Sequence, residues 1–145
     1  MDKKVIKILE EEYGWVCGDF TFIQNWDEVM VNTIRSVWPN TTDYSAHFSD
    51  GHVFERLPTM VIMGREYAER FGYIYPPTYK SVSCDAEHYY VSLMLKKYSY
   101  FPTVIAKHDH PVNNKDVAYD ETYKQNDKYA DQDTATYFKR MKQNF

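Results

Sequence analysis

Apolar residues recur at helical spacing in several stretches of the chain, and short apolar runs separate these stretches. The clearest stretch runs from Trp26 to Val37, with Asn25 placed as an N-cap and Pro39 just beyond the end. Gly72 is placed to end a shorter helix with a left-handed C-cap. Together these patterns predict helices over residues 3–12, 26–37, 65–71, 86–97 and 131–143.

The apolar runs between these helices predict buried strands. Asp50-Gly51 lies within an apolar segment and predicts strand, turn and strand over residues 44–54. Pro76 and Pro77 exclude a helix from residues 73–79, an aromatic loop. Further strands are predicted over residues 15–20, 60–63 and 104–106. The alternation predicts an α/β fold with a mixed sheet flanked by helices.

Length and charge narrow the classes of protein that this chain can be. Its 145 residues suit a single domain, 1–145, with the polar segment 112–145 as an arm wrapped around it. A net charge of −4 gives no broad basic surface, so we expect no nucleic-acid partner. No apolar run is long enough for a membrane span, and no signal peptide is apparent at residues 1–5, so we expect a cytoplasmic location.

The two cysteines, Cys17 and Cys84, lack the spacing of a zinc site or a redox motif. We interpret them as small buried apolar residues without a disulfide. A nucleophilic Cys84 paired with a histidine is disfavoured, because the sequence locates no adjacent base. Motifs for dinucleotide binding, P-loops, zincins and α/β-hydrolases are missing from the sequence.

Two aspartates follow or begin predicted elements, where catalytic groups are often presented. Asp19 ends the apolar run of residues 15–20 and is interpreted either as a turn former or as a ligand of a divalent cation. Asp85 stands at a predicted helix start, which Ser83 or Asp85 caps. The alternative role for Asp85 is a general base that accepts a proton from an attacking hydroxyl.

His108 and His110 lie two positions apart in an extended segment, so their imidazoles share one face. Such a pair can bind a metal or meet a substrate, or it can belong to a structural loop. A zinc site would need a third ligand, and the sequence does not choose among His47, His52, Asp50 and Asp85.

An ordered series of short motifs extends over nearly the whole chain. The series is Gly18-Asp19, Asn25-Trp26-Asp27-Glu28, Phe48-Ser49-Asp50-Gly51, residues 58–65, 71–75 and 79–81, Cys84-Asp85-Ala86-Glu87, His108-Asp109-His110-Pro111, residues 119–123, and Asp133 leading to Arg140. The chain thereby resembles the C-terminal, acceptor-side half of glycosyltransferases of the A-type nucleotide-diphospho-sugar fold. The resemblance is to the family-two-like enzymes of bacteria and their phages.

The resemblance implies inverting transfer of a sugar from a nucleotide sugar to a hydroxyl acceptor, in a bacterial cell or a phage-infected host. It implies Asp85 as the general base, with a divalent cation, manganese or magnesium, bound through Asp19 and His108 or His110. The residues implied in substrate binding are Trp26, Asp50, Gly51, Tyr73, Tyr75, Tyr79 and Glu87.

Enzymes of this family place a nucleotide-binding half before the segment that the chain resembles. We therefore expect an open sheet edge, covered by a homo-oligomer or by a partner chain. One alternative is a catalytically inactive binding or interaction domain derived from a glycosyltransferase. Another is a small metal-dependent hydrolase that uses the histidine pair.

Overall fold

A computed structural model describes residues 20–112 and 114–145. The strands are β1 (Phe20–Phe22), β2 (Ser45–Ser49), β3 (Val61–Met63), β4 (Tyr98–Val104) and β5 (Ala106–His108). The helices are α1 (Trp26–Val37), α2 (Arg65–Phe71), α3 (Cys84–Met94), α4 (Glu121–Asp127) and α5 (Ala130–Met141), with a 3₁₀ helix over Phe54–Arg56. The described part is thus α/β, with five helices and small sheets, one of them mixed.

The larger sheet has the strand order β3-β2-β4. β2 is antiparallel to β3, with Ala46 opposite Ile62, and parallel to β4, with Ala46 opposite Ser99. The register between β2 and β4 shifts after Phe48, which pairs with Phe101. Pro102 follows Phe101 in β4 at this point. Proline has no amide hydrogen for the ladder, so an irregular edge strand is where a sheet tolerates it.

One face of this sheet forms the apolar core. Ala46 and Phe48 of β2 are buried there with Ile34 of α1, Phe101 of β4 and Ile105. Burying a side chain such as Ile or Phe contributes about 1.5–3 kcal/mol, so the burial of Ile34 stabilises the packing of α1 on the sheet. The pattern of residues 26–37 is amphipathic because one face of α1 packs on this core.

The opposite face of β2 is polar, because side chains alternate along a strand. Ser45 Oγ and His88 Nε2 of α3 form a buried hydrogen bond of 2.7 Å. His47 Nδ1 and the Tyr98 hydroxyl form another of 2.6 Å. Burial lowers the pKa of both His47 and His88 to about 4, so both imidazoles are neutral at pH 7.

β1 and β5 form a separate antiparallel ribbon, in which Phe20 lies opposite His108. The Ile23 amide continues the ribbon by donating to the Ile105 carbonyl at 3.0 Å. Because β5 follows β4 after one residue, the ribbon continues from the end of the larger sheet.

Several predicted elements are confirmed. Helices α1 and α2 have the predicted bounds, and Gly72 ends α2 with φ 70° while its amide donates to the Ala68 carbonyl. The loop at residues 73–79 is not helical. Asn25 takes the N-cap position of α1 but in a left-handed conformation, without a side-chain cap bond, so the capping mechanism was predicted wrongly.

Other predictions were wrong in extent or kind. The second strand predicted up to residue 54 is a loop leading into the 3₁₀ helix, so Asp50-Gly51 does not form a hairpin turn. One strand was predicted over residues 104–106, but the structure has two strands there, β4 (Tyr98–Val104) and β5 (Ala106–His108). The helix predicted over residues 86–97 is α3, which begins and ends earlier, at Cys84 and Met94. Helix α4 was not predicted. The predicted helix 3–12, the cation ligand Asp19 and Cys17 lie outside the described residues.

Candidate functional site

Asp85 lies in the first turn of α3, one residue after the helix begins. Ser83 takes the N-cap position with φ 67° and makes no side-chain cap hydrogen bond. A serine in the left-handed region is strained, and such residues cluster at functional sites. Ser83, one of the two predicted caps, thus takes the N-cap position without a side-chain cap bond, and Asp85 lies two positions further on, inside the helix.

The Asp85 carboxyl is half-buried, and burial raises its pKa above the ordinary value of 3.8. The Ala86 amide donates to Oδ1 at 2.8 Å, which lowers the pKa by a smaller amount. No other side chain of the described residues forms a hydrogen bond or an ion pair with Asp85. A carboxylate with a raised pKa and no competing cation is a better proton acceptor than an ordinary aspartate.

The loop before Asp85 is held by Asp133 of α5. The Asp133 carboxylate is fully buried and accepts hydrogen bonds from the amides of Lys80, Ser81 and Val82, at 2.7–3.1 Å. Three amide donors compensate one buried charge. The approach of the chain to Asp85 is thereby fixed by a residue 48 positions further along the sequence.

A second contact from α5 reaches α3. Arg140 donates from Nε to Oε2 of Glu87 and from Nη2 to Oε1, each at 2.7 Å. The Tyr79 hydroxyl donates to Oε2 of the same carboxylate at 2.6 Å. Glu87 is 2% exposed, so this is a buried two-point ion pair with an added hydrogen bond. The predicted substrate residues Tyr79 and Glu87 thus bind each other within the fold.

The other two tyrosines of the predicted sugar wall lie at the surface. Tyr73 and Tyr75 are 37% and 36% exposed. The Tyr73 ring stacks on Phe71 with centroids 5.7 Å apart, and the Tyr75 ring contacts the edge of His88. Both side chains are therefore more exposed than that of Tyr79, which is buried.

Asp50 is only 2% exposed, and its carboxylate organises its own loop. It accepts hydrogen bonds from the amides of His52 and Val53 and from the Thr59 hydroxyl, at 2.8–2.9 Å. These bonds hold the pKa of Asp50 below its ordinary value despite burial, which opposes them. Gly51 follows with φ 81°, a conformation that favours glycine. The geometry gives both residues a loop-forming role at the predicted substrate site.

Trp26, also predicted at the substrate site, begins α1. Its ring tilts against Phe22 with centroids 4.5 Å apart, and the side chain packs beside the apolar core. The half-buried indole therefore connects β1 to α1.

His108 and His110 are brought together, as their spacing predicts. Their ring centroids are 5.4 Å apart, and His108 also stacks on Phe20 at 4.6 Å. Nδ1 of His110 accepts a hydrogen bond from the Val112 amide at 3.2 Å. A histidine that binds metal through one nitrogen carries its proton on the other, so this bond opposes metal binding through Nε2 of His110. His108 is the better candidate ligand of the two.

The described residues alone do not supply a metal site. Across residues 20–112 and 114–145, no three His, Cys, Asp or Glu side chains lie close enough together to hold an ion. Asp109, between the two histidines, accepts instead from the Thr21 hydroxyl at 2.6 Å. A cation ligated by His108 would thus need a further ligand such as Asp19.

Cys84 is a free thiol beside Asp85. Burial, with a smaller contribution from the Asp85 charge, raises the pKa of Cys84 to about 12. The thiol is therefore protonated at pH 7 and is a poor nucleophile.

Two residues of α5 that shape the site could not be assigned a role from sequence. Asp133 and Arg140 contact the loop at residues 80–82 and Glu87, more than 50 positions away, and no local pattern records such contacts. The only sequence sign was their place in the resemblance. The buried bond between Ser45 and His88 was missed for the same reason.

Comparison with known proteins finds no match for the chain, whether among protein families, curated proteins or solved structures. In the part of the chain described by the structure, no helix is long and apolar enough to cross a membrane.

Proposed function

We propose that the chain is the acceptor-side part of a glycosyltransferase that moves a sugar from a nucleotide sugar to a hydroxyl acceptor. Asp85 is the general base. The observation that carries the proposal is the raised pKa of a half-buried carboxyl at a strained helix start, without a competing cation among the described residues.

In the proposed reaction, the acceptor hydroxyl oxygen attacks the anomeric carbon of the donor. The bond from that carbon to the diphosphate oxygen breaks, and the nucleoside diphosphate leaves with the bonding electrons. Asp85 accepts the hydroxyl proton, and attack opposite the leaving group inverts the anomeric configuration. A positioned base of this kind contributes about 10²–10⁴ in rate.

The two contacts from α5 support this role, because a general base must be held within hydrogen-bond reach of its substrate. Asp133 fixes residues 80–82 just before Asp85, and Arg140 fixes Glu87 just after it. Asp85 thus lies between two anchored positions of the chain.

A divalent cation, manganese or magnesium, is part of the proposal as the group that neutralises the donor diphosphate. The described residues do not form its site alone, so no step of the reaction is derived through it. His108 and Asp19 are the residues to test. Because β3 and β4 are the outer strands of the larger sheet, we also propose that a second copy or a partner chain covers one of them.

Calorimetric titration with UDP and GDP, with and without Mn²⁺, tests the donor part of the proposal. The sample's oligomeric state is first measured by light scattering. We expect metal-dependent binding that is lost in His108→Ala and in Asp19→Ala and retained in Asp85→Asn. His52→Ala, at an exposed histidine of another loop, is the matched control.

The second candidate is a binding domain in which the same surface recognises a ligand without transfer. The observation that favours it is the lack of a three-ligand metal group among residues 20–112 and 114–145. Asp85→Asn separates the two candidates, because it abolishes transfer but leaves partner binding intact.

A further inference from the structure

We infer that the C-terminal halves of α3 and α5 form a surface that binds an anionic lipid bilayer. The inference does not depend on the proposed function, because Asp85 lies at the other end of α3. We call this surface the lipid-binding patch. It consists of exposed apolar residues of both helices, Tyr90, Leu93 and Met94 of α3 with Phe138 and Met141 of α5.

Helix α5 lies alongside α3 and runs in the same direction. Asp133, near the start of α5, binds the Ser81 amide just before α3, and Arg140, further along α5, binds Glu87. Tyr137 then lies beside Tyr90, with the ring centroids 6.5 Å apart. The C-terminal ends of the two helices are therefore on the same side of the fold.

The apolar residues of the lipid-binding patch are neighbours on these two helices. Leu93 and Met94 follow Tyr90 by three and four positions, and Met141 follows Phe138 by three, so each set shares one helix face. All five side chains are 41–52% exposed. Single exposed apolar residues are ordinary, but a contiguous apolar patch is typical of an interaction surface.

Lysines border the patch at both helix ends. Lys96 lies two residues after α3 ends, and Lys139 and Lys142 lie in and just after the last turn of α5. All three are exposed, and none forms an ion pair with another of the described residues. The chain has a net charge of −4, yet residues 136–145 contain three basic and no acidic side chains. Positive charge is thus concentrated beside the apolar patch.

An apolar surface bordered by lysines is complementary to a bilayer that has anionic headgroups. The apolar side chains can enter the boundary between headgroups and acyl chains, while the long lysine side chains reach the lipid phosphates. No helix of the described residues could cross a membrane, so the contact is with the bilayer surface.

Two other classes of partner fit this surface less well. A nucleic acid would contact the lysines but would leave the apolar side chains of the patch exposed. In a two-fold contact with a second copy of the chain, the same patch would face itself, so the lysines of the two copies would approach each other. Like charges brought together in an interface oppose association.

The test is cosedimentation of the full chain with vesicles. One set contains equal parts of phosphatidylglycerol and phosphatidylcholine, and the other contains phosphatidylcholine alone. We expect binding to the anionic vesicles that weakens as salt is added, because salt screens the lysines. Affinity for the phosphatidylcholine vesicles should be lower by a factor of about ten or more.

The apolar part of the patch is tested with Phe138→Ser/Met141→Ser. We expect this variant to bind anionic vesicles about tenfold or more weakly, because each CH₂ group buried in the bilayer adds to the affinity. Val37→Ser, at an exposed apolar residue of α1, is the matched control and should bind as the wild type does. Thermal unfolding of each variant shows that it is folded before vesicles are added.

The basic part is tested with Lys139→Gln/Lys142→Gln. Binding to anionic vesicles should weaken by a factor of about ten to thirty, since each lysine near the surface contributes about fivefold. Lys107→Gln/Lys115→Gln removes the same charge at two exposed lysines elsewhere and should bind as the wild type does.

Three results would each overturn the inference. The first is that the wild type does not bind anionic vesicles. The second is unchanged binding in both patch variants, and the third is an equal loss in Lys107→Gln/Lys115→Gln. If, without vesicle binding, light scattering shows that Phe138→Ser/Met141→Ser changes the oligomeric state, the patch is a contact between copies instead. Asp85→Asn should bind vesicles as the wild type does, so a failure of the proposed transfer reaction leaves this result separate.

Discussion

Arg140 and Glu87 form a two-point ion pair across 53 positions of sequence, with both nitrogen-to-oxygen distances at 2.7 Å. Burial makes the pair asymmetric, because the Glu87 side chain is 3% exposed and the Arg140 side chain is 29% exposed. Glu87 therefore depends on its partner more than Arg140 does.

Removing only the cation should be costly. We expect Arg140→Met to lower the free energy of unfolding by about 3–5 kcal/mol, because it leaves the buried Glu87 carboxylate without its cation. The double variant Glu87→Met/Arg140→Met should recover part of this loss, since no buried charge remains. Urea unfolding measures both, with Lys139→Met at the exposed neighbour as control. A double variant as unstable as the sum of its single variants would refute this account of the pair.

Asp133 should control the order of the loop before Asp85. Asp133→Ala removes the acceptor of three amide hydrogen bonds, and we expect hydrogen exchange at Lys80, Ser81 and Val82 to accelerate. The same variant should lower transfer activity, because Asp85 loses its support. Asp131→Ala, at an exposed position of the same helix, is the control. Unchanged exchange at these three amides would show that Asp133 does not hold the loop.

The ionised Asp85 carboxylate should lower the free energy of unfolding at neutral pH. Its pKa is raised in the folded state, so its stabilising contribution is complete below the ordinary carboxyl pKa and is lost as pH rises through the raised value. We expect Asp85→Asn to raise the melting temperature at pH 7, and to do so less at acidic pH. If Asp85 instead served to stabilise the start of α3, the substitution would lower the melting temperature.

His47 and His88 should destabilise the fold in acid. Burial lowers the pKa of each from 6.5 to about 4, so their contribution is present above the unfolded pKa and is lost as pH falls toward the folded value. The shift corresponds to about 3 kcal/mol for each histidine. Urea unfolding between pH 7 and pH 4 should show this loss, and His47→Gln/His88→Gln should flatten it. His52→Gln is the control at an exposed position. If the free energy of unfolding fell equally with pH in the wild type and in the double variant, the two histidines would not be the cause of the loss.

Elements with local signals were predictable from the sequence. The amphipathic spacing of α1 and the Gly72 end of α2 depend on neighbours within a few positions, and both helices have the predicted bounds. α4 was missed because it has little apolar periodicity, although Asp120 caps it by accepting from the amides of Thr122 and Tyr123. That local signal was present in the sequence.

Elements that depend on distant partners were not predictable in the same way. β4 alternates tyrosine with serine at its start and pairs with β2, about 50 positions earlier, so its extent is set by the sheet. Asp50-Gly51 predicts a hairpin, but the Asp50 carboxylate binds Thr59 and closes a wider loop. The same limit applies to the candidate site: the sequence suggests Asp85 as a candidate, but it does not predict the contacts that α5 makes on either side of it.

We propose above that Asp85 is the general base of a sugar transfer. The most direct test measures nucleoside diphosphate release from UDP- and GDP-sugars with Mn²⁺ and a panel of hydroxyl acceptors, in wild type and Asp85→Asn. We expect acceptor-dependent release whose rate falls by a factor of about 10²–10⁴ in Asp85→Asn, while the affinity for the nucleotide is unchanged. Equal release by both proteins, or neither nucleotide binding nor release from a folded wild-type sample, would contradict it.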